Sequence, residues 1–202
     1  MMLRLVRLCL TGLALLVLAP GAWAQVIPLA DVSQYLNGLR TAQGAFTQIN
    51  ADGSMATGTL YLQRPGRMRF EYDADDALVI AGGGQVAIFD GRSNQRPAQY
   101  PLRRTPLHLI LARNVDLGQS AMVIGHHGDG TLTRVVVHDP DRPGDGRITL
   151  VFSGAPVELR QWTITDEAGQ DTTIILGALD TGGTLGSRLF NIPMEISARG
   201  LD

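Results

Sequence analysis

The chain contains no lysine; all 17 of its basic residues are arginine. That excludes Schiff-base chemistry on a lysine amine and the lysine-dependent phosphate loop of nucleotide hydrolases. Cysteine is nearly absent too. The single one, Cys9, lies near the N-terminus, so the rest of the chain offers no disulfide, thiol nucleophile or thiolate zinc site. Aromatic residues make up 5% of the chain and charged residues 18%, with a net charge of −2. Nucleic-acid binders carry a clear basic excess, so no nucleic-acid partner is expected. Against these shortages stands a hydrophobic content of 45% over 202 residues. That is ample apolar surface to offset the entropy of ordering one globular domain.

The N-terminus reads as a secretory signal peptide. Arg4 and Arg7 precede an apolar run from Leu8 to Ala19, followed by Pro20, Gly21 and the small-residue end Ala22-Trp23-Ala24. The run falls short of the roughly 20 residues that span a bilayer, which argues against a permanent anchor. Cleavage is expected after Ala24, dividing the chain into a leader at 1–24 and a single exported domain at 25–202. Cys9 follows Val6-Arg7-Leu8 before the apolar stretch has ended, which is not the setting of a lipidated cysteine.

Two periodicities follow. Val32, Tyr35, Leu36 and Leu39 recur at i, i+3, i+4 and i+7, one face of an amphipathic helix. Beyond Gly44 the period becomes two. Strands are expected near 44–50, 56–64, 67–72, 78–81, 85–89, 95–101, 120–126, 132–138, 147–153, 157–165 and 172–179. Turn signals separate them, among them Asp52-Gly53, Pro65-Gly66, Gly82-Gly83-Gly84, Asp90-Gly91 and Asp129-Gly130. About eleven short strands joined this way predict a mainly β fold, one continuous antiparallel meander in a curved sheet. One helix interrupts it. Thr105-Pro106 offers an N-cap and a first-turn proline, and Leu107, Leu109, Ile110 and Leu111 follow. Two short helical segments cannot bury themselves on each other, so they are expected across the open side of the sheet as a lid. The proline-rich stretch at 140–146 reads as a long hairpin loop.

Catalytic and metal constellations are missing. His126 and His127 are adjacent within Gly-His-His-Gly-Asp-Gly, a turn composition, and are expected as exposed loop residues. His108 and His138 read as structural. No Gly-x-Ser-x-Gly elbow exists; Phe152-Ser153-Gly154 ends a strand, and Asp73, Asp75 and Asp76 lie in a turn. The chain is therefore expected not to be an enzyme and to take no cofactor or metal. The apolar pattern is more informative. Leu60, Leu62 and Arg64 share one strand face, as do Met68, Phe70 and Tyr72. The inner side of such a sheet is either a packed core or a cavity. Arg64 has two readings of its own. Its five donors reach backbone carbonyls at a helix end and hold a lid, or it is an exposed strand-end cation paired with an acid.

At these residues the chain resembles the LolA family of periplasmic outer-membrane lipoprotein carriers. The matching pieces are Ala45-Phe46-Thr47-Gln48, the run from Leu60-Tyr61-Leu62-Gln63-Arg64-Pro65-Gly66 through Phe70-Glu71-Tyr72, and the segment from Thr105-Pro106-Leu107 to Asn114. The strand of Trp162 and Leu189-Phe190-Asn191-Ile192-Pro193 complete them, in order from about Val32 to Pro193. The resemblance implies an unclosed β-barrel of about eleven strands with a short α-helical lid over a hydrophobic cavity. It implies a monomer that takes triacylated lipoproteins from an inner-membrane ABC transporter and delivers them to an outer-membrane receptor. Arg64 would then hold the lid, and Met68 would face the cavity. The expected acyl-lining set is Leu36, Leu39, Phe46, Leu60, Leu62, Met68, Phe70, Tyr72, Phe89, Leu107, Ile110 and Leu111. At positions 68, 70 and 87, where the family often carries aromatics, this chain has Met68, Phe70 and Ala87, which predicts a wider or softer cavity. A related half-barrel that binds another lipid or senses envelope stress stays open as an alternative.

Overall fold

The structure, a computed structural model, describes residues 26–118 and 121–201. The leader at 1–24 and Cys9 lie outside the described residues. The first helix, α1 (Leu29–Gly38), buries Val32 and Leu36 of the predicted face, half-buries Tyr35 and also buries Ser33, and Leu39 is buried just past its end. The strands are β1 (Thr41–Ile49), β2 (Met55–Gln63), β3 (Arg67–Tyr72), β4 (Leu78–Gly82), β5 (Gln85–Phe89), β6 (Ala98–Pro101), β7 (Val123–Gly128), β8 (Leu132–His138), β9 (Arg147–Ser153), β10 (Glu158–Thr165), β11 (Asp171–Leu176) and a two-residue β12 (Asp180–Thr181). All eleven predicted strands are present, half of their ends where expected and the others shifted by one to three residues. Residues 95–97 do not join β6, and β7 is displaced toward the two histidines.

The topology differs from one continuous meander. The sheet runs β6-β5-β4-β3-β2-β1-β11-β10-β9-β8-β7, every adjacent pair antiparallel. Two meanders, β1–β6 and β7–β11, are therefore joined edge to edge by β1 and β11, with Phe46 opposite Leu176 and Ile49 opposite Thr173. Pairing with β2 satisfies only one edge of β1; β11 takes the other. The barrel stays unclosed because β6 and β7 end the sheet. The chain between them forms a 3₁₀ turn at Leu102–Arg104 and helix α2 (Leu107–Leu111). Thr105 does not cap α2 as expected; Pro106 occupies that position, and the Thr105 hydroxyl donates back to the Leu102 carbonyl at 2.8 Å.

The concave side holds the main core. Val32, Leu36, Leu60, Met68, Leu111, Leu150, Phe152 and Trp162 are at most 2% exposed. Period-two burial carries it, cleanest in β8, where Thr133, Val135 and Val137 alternate with half-exposed residues. Gly58 in β2 makes room for an aromatic neighbour. A Cβ there would sit 1.9 Å from the Glu71 carbonyl oxygen and 2.8 Å from the Phe46 ring.

A second core lies on the opposite face. Leu78, Ile80, Ala87 and Phe89 of β4 and β5 are covered by Ile192 of a C-terminal helix, α3 (Ile192–Ala198). This helix is absent from the sequence expectation. Its start is nevertheless specified: Asn191 accepts from the Met194 amide at 2.9 Å, with Pro193 in the first turn. Arg69, buried on that face, ties it down through Glu195 Oε2 at 3.1 Å and the Leu189 carbonyl at 3.1 Å.

Candidate functional site

Arg64 follows the last residue of β2 and is 7% exposed. Its Nη2 donates to the Ala112 carbonyl oxygen at 2.6 Å, and the Gly66 amide donates to the Leu111 carbonyl at 2.9 Å. Both acceptors stand at the C-terminal end of α2, where helix carbonyls lack intrahelical partners and attract a cation. Of the two readings of Arg64, the geometry is that of a donor on a helix end. Among the described residues the guanidinium has no carboxylate within salt-bridge distance, and its Nε is buried without an acceptor. Burial, helped by the nearby Arg40 charge, lowers its affinity for the proton.

The lid has two further anchors. Past α2, the Asn37 side chain of α1 donates to the Val115 carbonyl at 2.8 Å and accepts from the Val115 amide at 2.9 Å. The Ser33 hydroxyl accepts from the Leu117 amide at 2.9 Å. Toward the connection between β8 and β9, His108 Nε2 lies 3.5 Å from Asp139, and Arg104 lies 3.6 Å from Asp145. The histidines expected in a turn are in β7, where His126 Nε2 contacts the Ile27 carbonyl at 2.9 Å. Among the described residues no three histidine, cysteine or acidic side chains gather as metal ligands.

Beside α2 the concave face opens into a cleft of about 710 Å³. Its wall is built from Phe70, Tyr72, Val79, Val86, Ile88, Leu107, Trp162, Ile164 and Ile174, and its rim carries Arg104, Asp145, Asp166 and Glu167. Aromatic side chains link the wall to the core. Phe46 meets Phe70 and Tyr72 edge-on at 5.1 and 5.3 Å between ring centres, and Phe70 meets Trp162 at 6.2 Å. The Tyr72 hydroxyl donates to Gln48 at 2.7 Å, and burial pushes its pKa up to about 12.

The expected lining set divides three ways. Phe70, Tyr72 and Leu107 border the cleft. Leu36, Leu39, Phe46, Leu60, Leu62, Met68, Ile110 and Leu111 sit in the core closed beneath the two lid helices. Phe89 is elsewhere: it packs with Leu78, Ile80 and Ile192 under α3, and Arg199 lies 5.1 Å over its ring. Ala87 is on that outer face too, so its small size bears on α3 packing and not on cavity width. Alternation separates Val86 and Ile88 from Ala87 and Phe89, but with both faces covered it does not say which pair turns inward. Trp162, Ile164 and Ile174 of the cleft wall were not in the expected set, although their strands alternate in the same way.

A family model described as outer membrane lipoprotein carrier protein LolA matches residues 37–193. An outer-membrane lipoprotein carrier protein of Methylococcus capsulatus is 27% identical over 176 residues, covering 83% of this chain and 84% of the relative. One from Coxiella burnetii is 25% identical over 203 residues, covering 96% and 94%. A LolA superfamily protein from Nitrosomonas europaea, of known structure, is 8% identical with a TM-score of 0.43, covering 82% of this chain and 98% of that one.

Proposed function

The chain belongs to the LolA family, and from that premise we propose that it is a periplasmic carrier for the acyl chains of lipoproteins. It takes triacylated cargo released by an inner-membrane ABC transporter and passes it, as a monomer, to an outer-membrane receptor. No covalent bond is made or broken in this cycle, and no cofactor is needed.

The observation that carries the reading is an apolar cleft beside a helix that a buried arginine latches by its last carbonyls. An acyl chain of about 16 carbons, at roughly 0.8 kcal/mol per buried methylene, prefers such a place to water by about 12 kcal/mol. The cleft, at about 710 Å³, falls within the roughly 300–1,000 Å³ of small-molecule sites. The residues closed under the lid, such as Leu60, Met68 and Leu111, supply further apolar surface once α2 lifts. A carrier must also let go. The Arg64–Ala112 bond is made only when the lid is closed, so cargo that holds the lid up forfeits it, and the forfeit weakens net binding. Among the described residues no helix is long and apolar enough to cross a membrane, which fits a carrier that leaves one membrane for another.

The purified protein, added to spheroplasts that hold a radiolabelled lipoprotein, is expected to release the label into the supernatant as a complex with the carrier. Label that stays with the spheroplasts at saturating protein refutes the proposal.

A further inference from the structure

We propose that the indole Nε1–H of Trp162 is the hydrogen-bond donor that recognises the carbonyl of an acyl group in the cleft. The site then prefers ester- or amide-linked acyl chains over hydrocarbon without a carbonyl. The inference rests on the carrier reading and adds to it a residue that senses how the chain is attached.

Trp162 lies mid-strand in β10, paired with Leu150 on one side and Ile174 on the other. It is 1% exposed and belongs both to the cleft wall and to the inner core. Its Nε1–H is buried and has no acceptor among the described residues. A buried tryptophan N–H is normally paired, and leaving it unpaired costs the full desolvation of the donor. Packing does not account for it. Nearby positions fill the same core with Phe46, Phe70 and Phe152, and a phenylalanine at 162 would avoid the orphan donor. The neighbouring donor in the wall, the Tyr72 hydroxyl, is already committed to Gln48 at 2.7 Å. An acceptor arriving with a ligand satisfies the indole, and the carbonyl oxygen is the strong acceptor that an acyl chain carries. The rim fits the same orientation. Arg104, Asp145, Asp166 and Glu167 stand where the peptide end of the cargo stays in water, while the hydrocarbon beyond the carbonyl lies against the apolar wall.

The test uses two synthetic lipopeptides of equal chain length, one with ester-linked diacylglyceryl and one with ether-linked dialkylglyceryl on its cysteine. The protein is expected to bind the ester probe about fivefold more tightly, the ordinary worth of one neutral hydrogen bond. Trp162→Phe is expected to lose that preference, so that its ester-to-ether affinity ratio falls to about one whatever the change in its binding of either probe. In parallel, the ¹⁵N-labelled indole N–H resonance of unaltered protein, the one missing from Trp162→Phe, is expected to move downfield with the ester probe and not with the ether probe. That measurement keeps the inference testable even where the variant folds poorly. Equal binding of both probes, or equal movement of the resonance, overturns the role of Trp162 and leaves the carrier reading standing. Failure of both probes to bind overturns the carrier reading and this inference with it.

Discussion

Replacing Arg64 by leucine removes the side-chain bond of the latch, leaves the Gly66 main-chain bond to Leu111, and keeps the volume. The lost bond runs from a guanidinium to the Ala112 carbonyl at 2.6 Å, and a hydrogen bond from a charged donor is worth about 1.5–3 kcal/mol. Set against it is the cost of holding a cation at 7% exposure without a carboxylate partner, which leucine abolishes. The net effect on the closed state is therefore nearer the low end, about 1.5 kcal/mol, or roughly tenfold in the closed-to-open ratio. Loading requires opening, so Arg64→Leu is expected to fold, to bind an acylated probe about tenfold more tightly, and to transfer it correspondingly more slowly. The assay loads each protein with a fluorescent triacylated lipopeptide and follows its transfer to vesicles bearing the receptor. Affinity and transfer both equal to those of the unaltered protein would falsify the latch. Weaker probe binding by Arg64→Leu would be just as damaging, because it would make Arg64 a cargo contact. Arg64→Lys, which keeps the charge but presents a compact ammonium, is expected to fall between the two.

Ile88→Glu tests the cleft. Ile88 lines it yet is 45% exposed, so the carboxylate is tolerated by the fold but is expected to weaken acyl-probe binding about tenfold or more, since a charge must then be covered by hydrocarbon; undiminished titration would place Ile88 off the lipid path. Glu195 tests the outer clasp. Burial raises its pKa, but bonds from Arg199 at 2.9 Å and Arg69 at 3.1 Å outweigh that and leave it below the usual carboxylate value. Its contribution is accordingly complete above the unfolded carboxylate range near pH 4 and is lost as pH falls through the folded value. Amide exchange in α3 should accelerate below about pH 4, and Glu195→Gln should remove that acid dependence. Gly58→Ala forces a methyl against the Glu71 carbonyl and the Phe46 ring. A loss of roughly 1–3 kcal/mol in denaturant titration is expected, and unchanged stability would show that β2 and β3 part more easily than their register suggests.

The strands were legible because one face of most of them meets water. In β8 and in β2, burial alternates residue by residue and the turns between strands carry their own chemistry. What the period could not supply was orientation where both faces are covered. β4 and β5 are buried on the lid side and again under α3, so Phe89, the bulkiest residue of its strand, was expected inside and lies outside. The strand order was hidden for a different reason. Hairpin signals report neighbours in sequence, whereas β1 and β11 pair across more than a hundred residues with no local mark. Arg64 was readable as a candidate because a guanidinium ends an otherwise apolar strand face, but its acceptor lies 48 residues away and only the fold brings the two together.

The two helical covers are held by different forces, and the difference bears on which one moves. The outer helix α3 is clasped by an ion pair from Arg69 of the sheet to Glu195 and by Arg199, at the helix end, donating to the Asp76 carbonyl; Arg199 and Glu195 also pair along the helix, and Asn191 caps its first turn. These contacts are made through side chains on its own body. The inner helix α2 has five residues, too few to persist without tertiary support. The latch bonds from Arg64 and Gly66 end on the main-chain carbonyls of Leu111 and Ala112 at one end of it. Along its length α2 is held by Leu107, Leu109, Ile110 and Leu111, all nearly buried. Exposing even two of these side chains costs roughly 3–6 kcal/mol, more than the latch bond, so without cargo the apolar contact keeps the lid down. In the proposed cycle, hydrocarbon arriving in the cleft would replace that contact with its own and leave the polar anchors of the lid, the Arg64 bond among them, as the difference between open and closed. In the proposed carrier cycle an arginine bond of modest strength would then decide the balance, and α2, not α3, is the cover expected to lift.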